Sequence, residues 1–431
     1  MMAPMQTDSS RRSFLKVAAG GAALGAMAVP RSVHAGADET LRVGLVGCGG
    51  RGNGAAIDAL KADPQAQLVA IADTFADRAA DGLALIKGDA VVADRVVVTP
   101  DRIYTGFDGY KQLIDSGVDV VLLATPPHFR PEHFAYAVAA GKHCFVEKPV
   151  AVDAFGVKSV MESSRLAKEK GLAVVSGLCW RYDSGVREIM RRILEEKAIG
   201  EIVAIESSYN ANGLWHRGDK SEWSRMEYQV RNWLYHTWLS GDHILEQAVH
   251  SLDKTAWLLG DVRPLKATAL GGRQQRIDPM YGNVYDHFTV FYDYPGGQRV
   301  YFTCRQQDNC SVRVDELVHG TKGRAEILRG QMMDLGSDKV AWRYRGKKPS
   351  MYQVEHDELF ASIRKGEPIN NGDYMCNSTM IAILGRMAAY TGQTVTWDQC
   401  ANSTERLGPS EYVWGDVPEE VVAIPGKSAL A

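Results

Sequence analysis

Beyond its first forty residues the sequence lacks any run of about 18 apolar residues, so no membrane-spanning helix is expected there. None of its seven cysteines (Cys48, Cys144, Cys179, Cys304, Cys310, Cys376 and Cys400) forms a C-x-x-C pair, which excludes a zinc ribbon or a dithiol redox motif. Cys304 and Cys310 are spaced to pair across neighbouring strands; the competing reading is that they are small buried apolar residues. An excess of one charge is also missing. Lys and Arg total 49 against 52 Asp and Glu, a net charge of -3, so neither nucleic acid nor an anionic membrane is favoured as a partner. No internal repeat or low-complexity segment stands out. The rest is ordinary for a chain that buries a core: 45% hydrophobic, 23% charged, and 431 residues, enough for two or three domains.

The first 37 residues are expected to stand apart from the fold. Ser10-Arg11-Arg12-Ser13-Phe14-Leu15-Lys16 carries twin arginines, an Ala- and Gly-rich apolar run follows from Val17 to Val29, and Val33-His34-Ala35 and Ala35-Gly36-Ala37 are small-residue cleavage patterns. The segment resembles a bacterial twin-arginine (Tat) signal peptide. That resemblance implies recognition by the Tat export machinery, a periplasmic or otherwise exported protein, and no stable membrane span after processing. The Tat route moves folded proteins, so a tightly bound cofactor can travel inside.

From residue 38 to 176 short apolar runs alternate with helical stretches. Leu41–Val46, Gln67–Ala72, Val118–Ala124, Cys144–Val146 and Leu172–Ser176 are expected strands; Gly54–Ala62 and Asp153–Lys170 are expected helices. Such alternation predicts parallel βαβ units and a doubly wound α/β domain. From residue 177 to 431 the strands lengthen and hairpins appear. Asp286–Tyr294 alternates and returns through Pro295-Gly296-Gly297 into Gln298–Thr303, and Val312–His319 turns at Gly320–Gly323 into Arg324–Leu328. The expectation is a C-terminal α+β domain with a large, mostly antiparallel sheet, followed by helices near Gln353–Lys365 and Asn377–Tyr390 that can pack back on the first domain. Phe288, Val290, Tyr292 and Tyr294 share one strand face. Either a second copy of the chain covers it, giving a homo-oligomer, or the late helices do.

Gly47-Cys48-Gly49-Gly50-Arg51-Gly52 is G-x-G-x-x-G, directly after a strand and directly before a helix. Asp73 ends the next strand about twenty residues on, where a ribose-binding carboxylate belongs. Glycines there permit a tight turn and close approach of backbone to a pyrophosphate, which the helix N-terminus faces. Asp73 would repel a 2′-phosphate, and Thr74-Phe75 rather than a cation follows it, so NAD(H) is favoured over NADP(H). Arg51 either touches the dinucleotide or is a solvated loop cation.

Several motifs together resemble the Gfo/Idh/MocA oxidoreductase family: Thr125-Pro126-Pro127 at a strand end, His133 in the following helix, Ala140-Gly141-Lys142-His143 leading to Glu147-Lys148-Pro149, Gly200-Glu201 before a strand, and the Gly320–Gly323 turn. The resemblance covers nearly all of the chain after the leader. It implies a Rossmann domain whose cofactor contacts include Thr125, Pro126, His133 and Glu147, with Lys148 beside the nicotinamide and bonded to the reacting hydroxyl. The family's second motif is usually G-G-x-x-x-D-x-G-x-H. Here Ser240–His250 departs from it, placing Glu246 at the acid position and Ala248 at the second glycine. Four residues apart, Glu246 and His250 share a helix face. His250 is the candidate general base and Glu246 its acidic partner; the competing reading is an ordinary helical ion pair. Asp242, Glu246 and His250 repeat every four residues and suggest a metal cluster, but the family chemistry needs none, and none is expected.

Arg181 and the aromatic segment from Tyr209 to His236, with Trp233, are candidate substrate contacts, since aromatic faces stack on sugar rings. Core packing competes for each tryptophan, and a domain-joining role competes for Arg181. The resemblance therefore implies hydride transfer between nicotinamide and a sugar or polyol hydroxyl carbon. A redox-neutral NAD-dependent glycosidase, similar to N-acetylgalactosaminidase-like members of the same fold, is the alternative. A cofactor-binding protein without catalysis is disfavoured by Lys148 and His250 together.

Overall fold

A computed structural model describes residues 39–418 and 420–429. The twin-arginine segment and both small-residue sites lie outside the described residues. Six strands, β1 (Leu41–Val46), β2 (Ala66–Asp73), β3 (Ile103–Thr105), β4 (Val120–Leu123), β5 (His143–Val146) and β6 (Val174–Ser176), form one sheet in the order β3-β2-β1-β4-β5-β6. Every pairing in it is parallel. This is the Rossmann order, which reverses between β1 and β4 and opens a crevice at the strands' carboxyl ends. Val43, Leu45, Leu68, Ile71, Val120 and Leu122 are buried, because helices cover both faces of such a sheet. Those helices include α1 (Gly50–Ala62), α2 (Ala76–Lys87), α3 (Gly109–Asp115), α4 (Arg130–Ala139) and α5 (Ala154–Glu169). The first opens at Gly50, four residues earlier than its apolar pattern predicts, because the glycine loop itself supplies its first turn.

After α6 (Ser184–Leu194) come nine more strands: β7 (Ile202–Ala211), β8 (Lys266–Gly272), β9 (His287–Asp293), β10 (Arg299–Gln306), β11 (Arg313–Gly320), β12 (Gly323–Glu326), β13 (Gln331–Asp334), β14 (Val340–Arg343) and β15 (Val395–Thr396). They make one sheet in the order β14-β13-β12-β11-β7-β10-β9-β8-β15. Both expected hairpins are present, with Arg299 opposite Asp293 and His319 opposite Arg324. The pairing of β7 with β10 is parallel, so the sheet is mixed at its centre. Period-2 patterns reveal strands but not which distant strand lies beside them.

Between β7 and β8 run four short helices, α7 (Arg225–Arg231), α8 (Thr237–Ser240), α9 (His243–Glu246) and α10 (Val249–Leu258). The chain closes with α11 (Met351–Lys365), α12 (Gly372–Thr391) and α13 (Trp397–Ala401). Phe288, Val290, Tyr292 and Tyr294 do share a buried face, but α12 covers it, and Tyr292 donates to the Ile381 carbonyl at 3.0 Å. The idea that this apolar face waits for a second copy is corrected: late helices of the same chain fill it. Another late helix, α11, lies on α1, with Gln353 donating to the Asp58 carbonyl at 3.0 Å. All seven cysteines are free, so Cys304 and Cys310 do not pair. Among the described residues no helix is long and apolar enough to cross a membrane.

Candidate active site

The glycine loop has the shape that a pyrophosphate needs. Gly47 turns at φ +98°, and a Cβ on it would stand 2.7 Å from the Thr125 nitrogen. At Gly52 a Cβ would stand 1.9 Å from the Gly47 carbonyl oxygen, so only glycine lets α1 start this close to β1. Added Cβ atoms on Gly49 and Gly50 would meet nothing within 4 Å. No side chain caps α1 at Gly49 and no acidic residue stands in its first turn. Uncapped amides at a helix N-terminus are an anion site. The loop, with Asp73, Phe75, Arg78, Thr125 and Pro126, lines a cavity of about 350 Å³. Asp73 accepts from the Cys48 amide at 2.8 Å and the Phe75 amide at 3.0 Å, and burial raises its pKa. Trp215, Arg217, Val230, Arg231 and Trp233 complete its lining.

The second cluster brings distant parts of the chain together. Lys148, just past β5, donates its ammonium to the main-chain carbonyl of Glu246 at the end of α9. The Glu246 carboxylate accepts from Gln306 on β10 at 2.9 Å, and Gln306 in turn accepts from the buried Arg276. Burial raises the Glu246 pKa, against the pull of Lys148 and the Gln306 bond. The imidazole of His250 is pushed well below its ordinary range, first by burial, then by the positive charges of Lys148, Lys254 and Arg51. Its Nδ1 is buried and has no hydrogen-bond partner among the described residues. Tyr209 joins the cluster; burial, then Glu246 and Cys179, push its hydroxyl up to about 12. The His250 imidazole from α10, the Glu246 carboxyl from α9 and the Lys148 ammonium just past β5 thus gather, with burial moving the imidazole down and the carboxyl up, each toward its uncharged form.

Other expected site residues are placed differently. Arg51 reaches the cavity, yet its guanidinium pairs with Glu147 and with Glu355 of α11 and stacks over Tyr352 at 4.8 Å. Two buried carboxylates hold it more strongly than solvent would, so it is not a solvated loop cation. Glu147 spends its carboxylate on Arg51 and on the Lys148 amide at 3.0 Å, leaving the cavity wall to its neighbours. His133 does not line the cavity. Its ring stacks on Tyr110 at 3.9 Å, Nδ1 faces Thr125 Oγ1 at 3.4 Å, and burial lowers its pKa to about 3. Arg181 binds Asp253 and Asp261 and stacks over Tyr374 at 4.0 Å, all within residues 177–431, so its charge is spent inside the C-terminal domain and these contacts do not join it to the first. That bond removes Asp253 from any role beside His250. His236 pairs with Glu420 at 2.5 Å, away from the cavity. Trp233 lines the cofactor cavity rather than a separate sugar pocket.

The suggested metal triplet does not form. Asp242 turns away at φ +73° and accepts from Tyr390 at 2.6 Å, the Tyr285 amide at 2.7 Å and His243. Among the described residues no three His, Cys, Asp or Glu side chains are grouped to hold a metal ion. Sequence reasoning missed Arg78, Arg217, Gln306, Lys254, Glu316 and Glu355. Each is an isolated polar residue in its own segment, and only spatial proximity gives it meaning.

A Rossmann sheet with a glycine loop at its crevice, a carboxylate at the end of β2 and a buried gathering of Lys148, Glu246 and His250 is the arrangement of a dinucleotide-binding enzyme. Comparison with known proteins agrees. Residues 41–178 match the profile of the oxidoreductase family with an NAD-binding Rossmann fold, and residues 188–326 match the GFO/IDH/MocA C-terminal domain. The chain belongs to the Gfo/Idh/MocA oxidoreductase family, and its cofactor is NAD(H). It is similar to 2,7-anhydro-N-acetylneuraminate hydratase of Escherichia coli K12, 28% identical over 256 residues, 59% of this chain and 62% of that protein. It is also similar to trans-1,2-dihydrobenzene-1,2-diol dehydrogenase of Bos taurus, 26% identical over 226 residues, 52% of this chain and 58% of that one. These matches span about three fifths of the relatives' length. Levoglucosan dehydrogenase in complex with NADH and levoglucosan shares the fold, with a TM-score of 0.64 at 19% identity, covering 83% of this chain and 99% of that one. So does aldose-aldose oxidoreductase from Caulobacter crescentus, with a TM-score of 0.64 at 18% identity, covering 83% of this chain and all of that one.

Proposed function

We propose that this protein oxidises or reduces a hydroxyl-bearing carbon of a sugar or sugar derivative, with Lys148, His250 and Glu246 at the reacting centre. The observation that carries this reading is the bond from Lys148 to the Glu246 carbonyl, one turn before His250. Bound NAD(H) accepts or returns the hydride. His250, uncharged, takes the hydroxyl proton as the C–O bond becomes a carbonyl. Lys148 donates to that oxygen and stabilises the negative charge developing on it. Tyr209, beside Glu246, offers a ring face and a hydroxyl to the substrate. Glu246, largely buried and raised in pKa, can hold a proton near that same oxygen.

A second reading is redox-neutral: transient oxidation, then elimination or hydration, then return of the hydride, as in a glycosidase or hydratase cycle. Similarity to an anhydro-sugar hydratase favours it. Such a cycle suits a cofactor that is retained, and we propose tight binding behind Trp215 and Trp233 together with Tat-dependent export. Replacing Arg11 and Arg12 by Lys should keep the protein in the cytoplasm. We also propose a homo-oligomer, joined through the opposite sheet face, where Leu270, Phe291 and Tyr301 are exposed; a monomer in light scattering at micromolar concentration refutes it.

The test of the reaction is a screen of sugars, anhydro-sugars and glycosides against the NAD-loaded protein. Absorbance of NADH separates net oxidation from a redox-neutral cycle. Lys148→Ala and His250→Ala should each cost on the order of 10² in rate while NADH still binds. Normal turnover by both variants refutes the assignment.

A further inference from the structure

Behind the reacting centre α10 carries a charge that the proposed chemistry does not use. Lys254, one turn beyond His250, is fully buried, and so is Glu316 on β11. Lys254 Nζ stands 3.2 Å from Glu316 Oε1 and donates to the main-chain carbonyl of His250 at 3.3 Å. Its ammonium also lies 5.0 Å from the Trp180 ring centre. The flanking Ser251 hydroxyl ties α10 to β7, donating to the Ser208 carbonyl at 3.1 Å. A fully buried ion pair is a poor way to stabilise a fold, because desolvation offsets the attraction and two apolar side chains would serve as well. Its position one turn from the candidate base points to a task at that base.

We infer that Lys254 and Glu316 are positioning residues of the reacting centre, fixing the main chain of His250 and keeping its imidazole in the neutral, proton-accepting form. The proposal rests on His250 being the base. Charges facing the imidazole are Lys148 beyond β5, Arg51 on α1 and Lys254 on its own helix, and Glu246 lies one turn before it. Lys148 and Arg51 are engaged elsewhere, with the Glu246 carbonyl and with Glu147 and Glu355. Lys254 binds the His250 carbonyl directly and opposes a second positive charge next to it. Facing Glu316 are Lys254, Ser251 and Asp315, and burial pushes its carboxyl up to about 7. Glu316 anchors Nζ, so the lysine keeps its place behind the imidazole.

The test reads His250 ionisation without turnover, by pH-dependent exchange of the histidine C2 hydrogen measured by mass spectrometry on the NAD-loaded full chain. Lys254→Met should raise the His250 midpoint by about one to two pH units, the order expected on removing one nearby positive charge at an effective dielectric near 20. Lys254→Arg should leave it near the wild-type value, and Glu316→Gln should not raise it. If Lys254→Met does not fold, Lys254→Met/Glu316→Gln removes the pair without stranding a charge and should also raise the midpoint, by less. A midpoint unmoved in the folded variant lacking Lys254, or raised in Glu316→Gln, overturns the proposal. Because no substrate is involved, a catalytically silent His250→Ala would sink the proposed reaction while leaving this result standing.

Discussion

Two glycines of one loop should fail in different ways when each gains a single methyl group. At Gly52 the added Cβ would lie 1.9 Å from the Gly47 carbonyl oxygen, 3.1 Å from the Gly47 carbonyl carbon and 3.2 Å from the Ala124 Cβ. An ordinary contact begins near 3.4 Å, so 3.4 less 1.9 leaves about 1.5 Å to be opened between main-chain atoms. Overpacking of that kind costs roughly 1–3 kcal/mol. At Gly49 the backbone is extended, φ -76° and ψ 178°, a conformation any residue adopts, and the added Cβ meets nothing within 4 Å. Gly49→Ala should therefore keep its stability or gain about 0.4–1 kcal/mol through the unfolded chain. Its methyl instead stands in the cradle, where two amide–phosphate bonds worth about 1.5 kcal/mol each would otherwise form. A loss of about 3 kcal/mol is roughly a hundredfold in Kd. Urea unfolding of the cofactor-free variants and NADH titration by fluorescence separate the two effects. If Gly49→Ala binds NADH like the wild type, the pyrophosphate does not sit on this loop; if Gly52→Ala is as stable as the wild type, the helix is not held against the strand as described.

Asp73→Ala should weaken NADH by about 10- to 100-fold, since hydrogen bonds to a charged group are worth roughly 1.5–3 kcal/mol. It should also relax discrimination against NADPH, because Arg78 and Arg217 remain in the lining of the same cavity; unchanged discrimination in paired titrations counts against Asp73 as the ribose contact. Arg181→Met should cost about 3 kcal/mol of stability by stranding the buried Asp253, read as a lower urea midpoint, with NADH affinity unchanged. Full stability with a raised KM would return Arg181 to the substrate site. Acid should unfold the protein in part through His133. Its folded pKa, near 3, lies below the ordinary 6.5, so its contribution is present above pH 6.5 and lost as pH falls from 6.5 toward 3. A shift of that size is worth roughly 4–5 kcal/mol. His133→Phe, which keeps the ring on Tyr110, should flatten the fall in melting temperature across that window, and an unaltered slope refutes the assignment.

Local pattern determined much of this protein. The run from Leu41 to Gly52 encodes strand, tight turn and helix start within twelve residues: Gly52 is required by the Gly47 carbonyl five residues earlier, and Gly47 by its positive φ, while the atoms that crowd Gly47 come from the distant Ala124 and Thr125. Asp73 was legible as an acid at a strand end, but the four-residue spacing of Glu246 and His250 misled: the helix breaks at Gln247-Ala248, so the two belong to α9 and α10 and do not share one helix face. Alternation along Asp286–Tyr294 correctly marked a buried face. What covers that face was beyond the sequence, since α12 lies more than eighty residues on and nothing in a period-2 pattern identifies its partner. Tertiary structure alone decided where long charged side chains spend their charge. Arg51, Arg181 and His236 each suit a ligand by residue type, yet each meets a carboxylate from a distant segment: Glu355, Asp253 and Glu420. Arg51 also meets Glu147. Lys254 and Glu316 carried no signal at all, being a lysine on a helix and a glutamate on a strand, residue types that normally lie in water. Only packing that excludes water from both turns them into a pair, because a buried charge must find its counterpart wherever the fold brings one within reach.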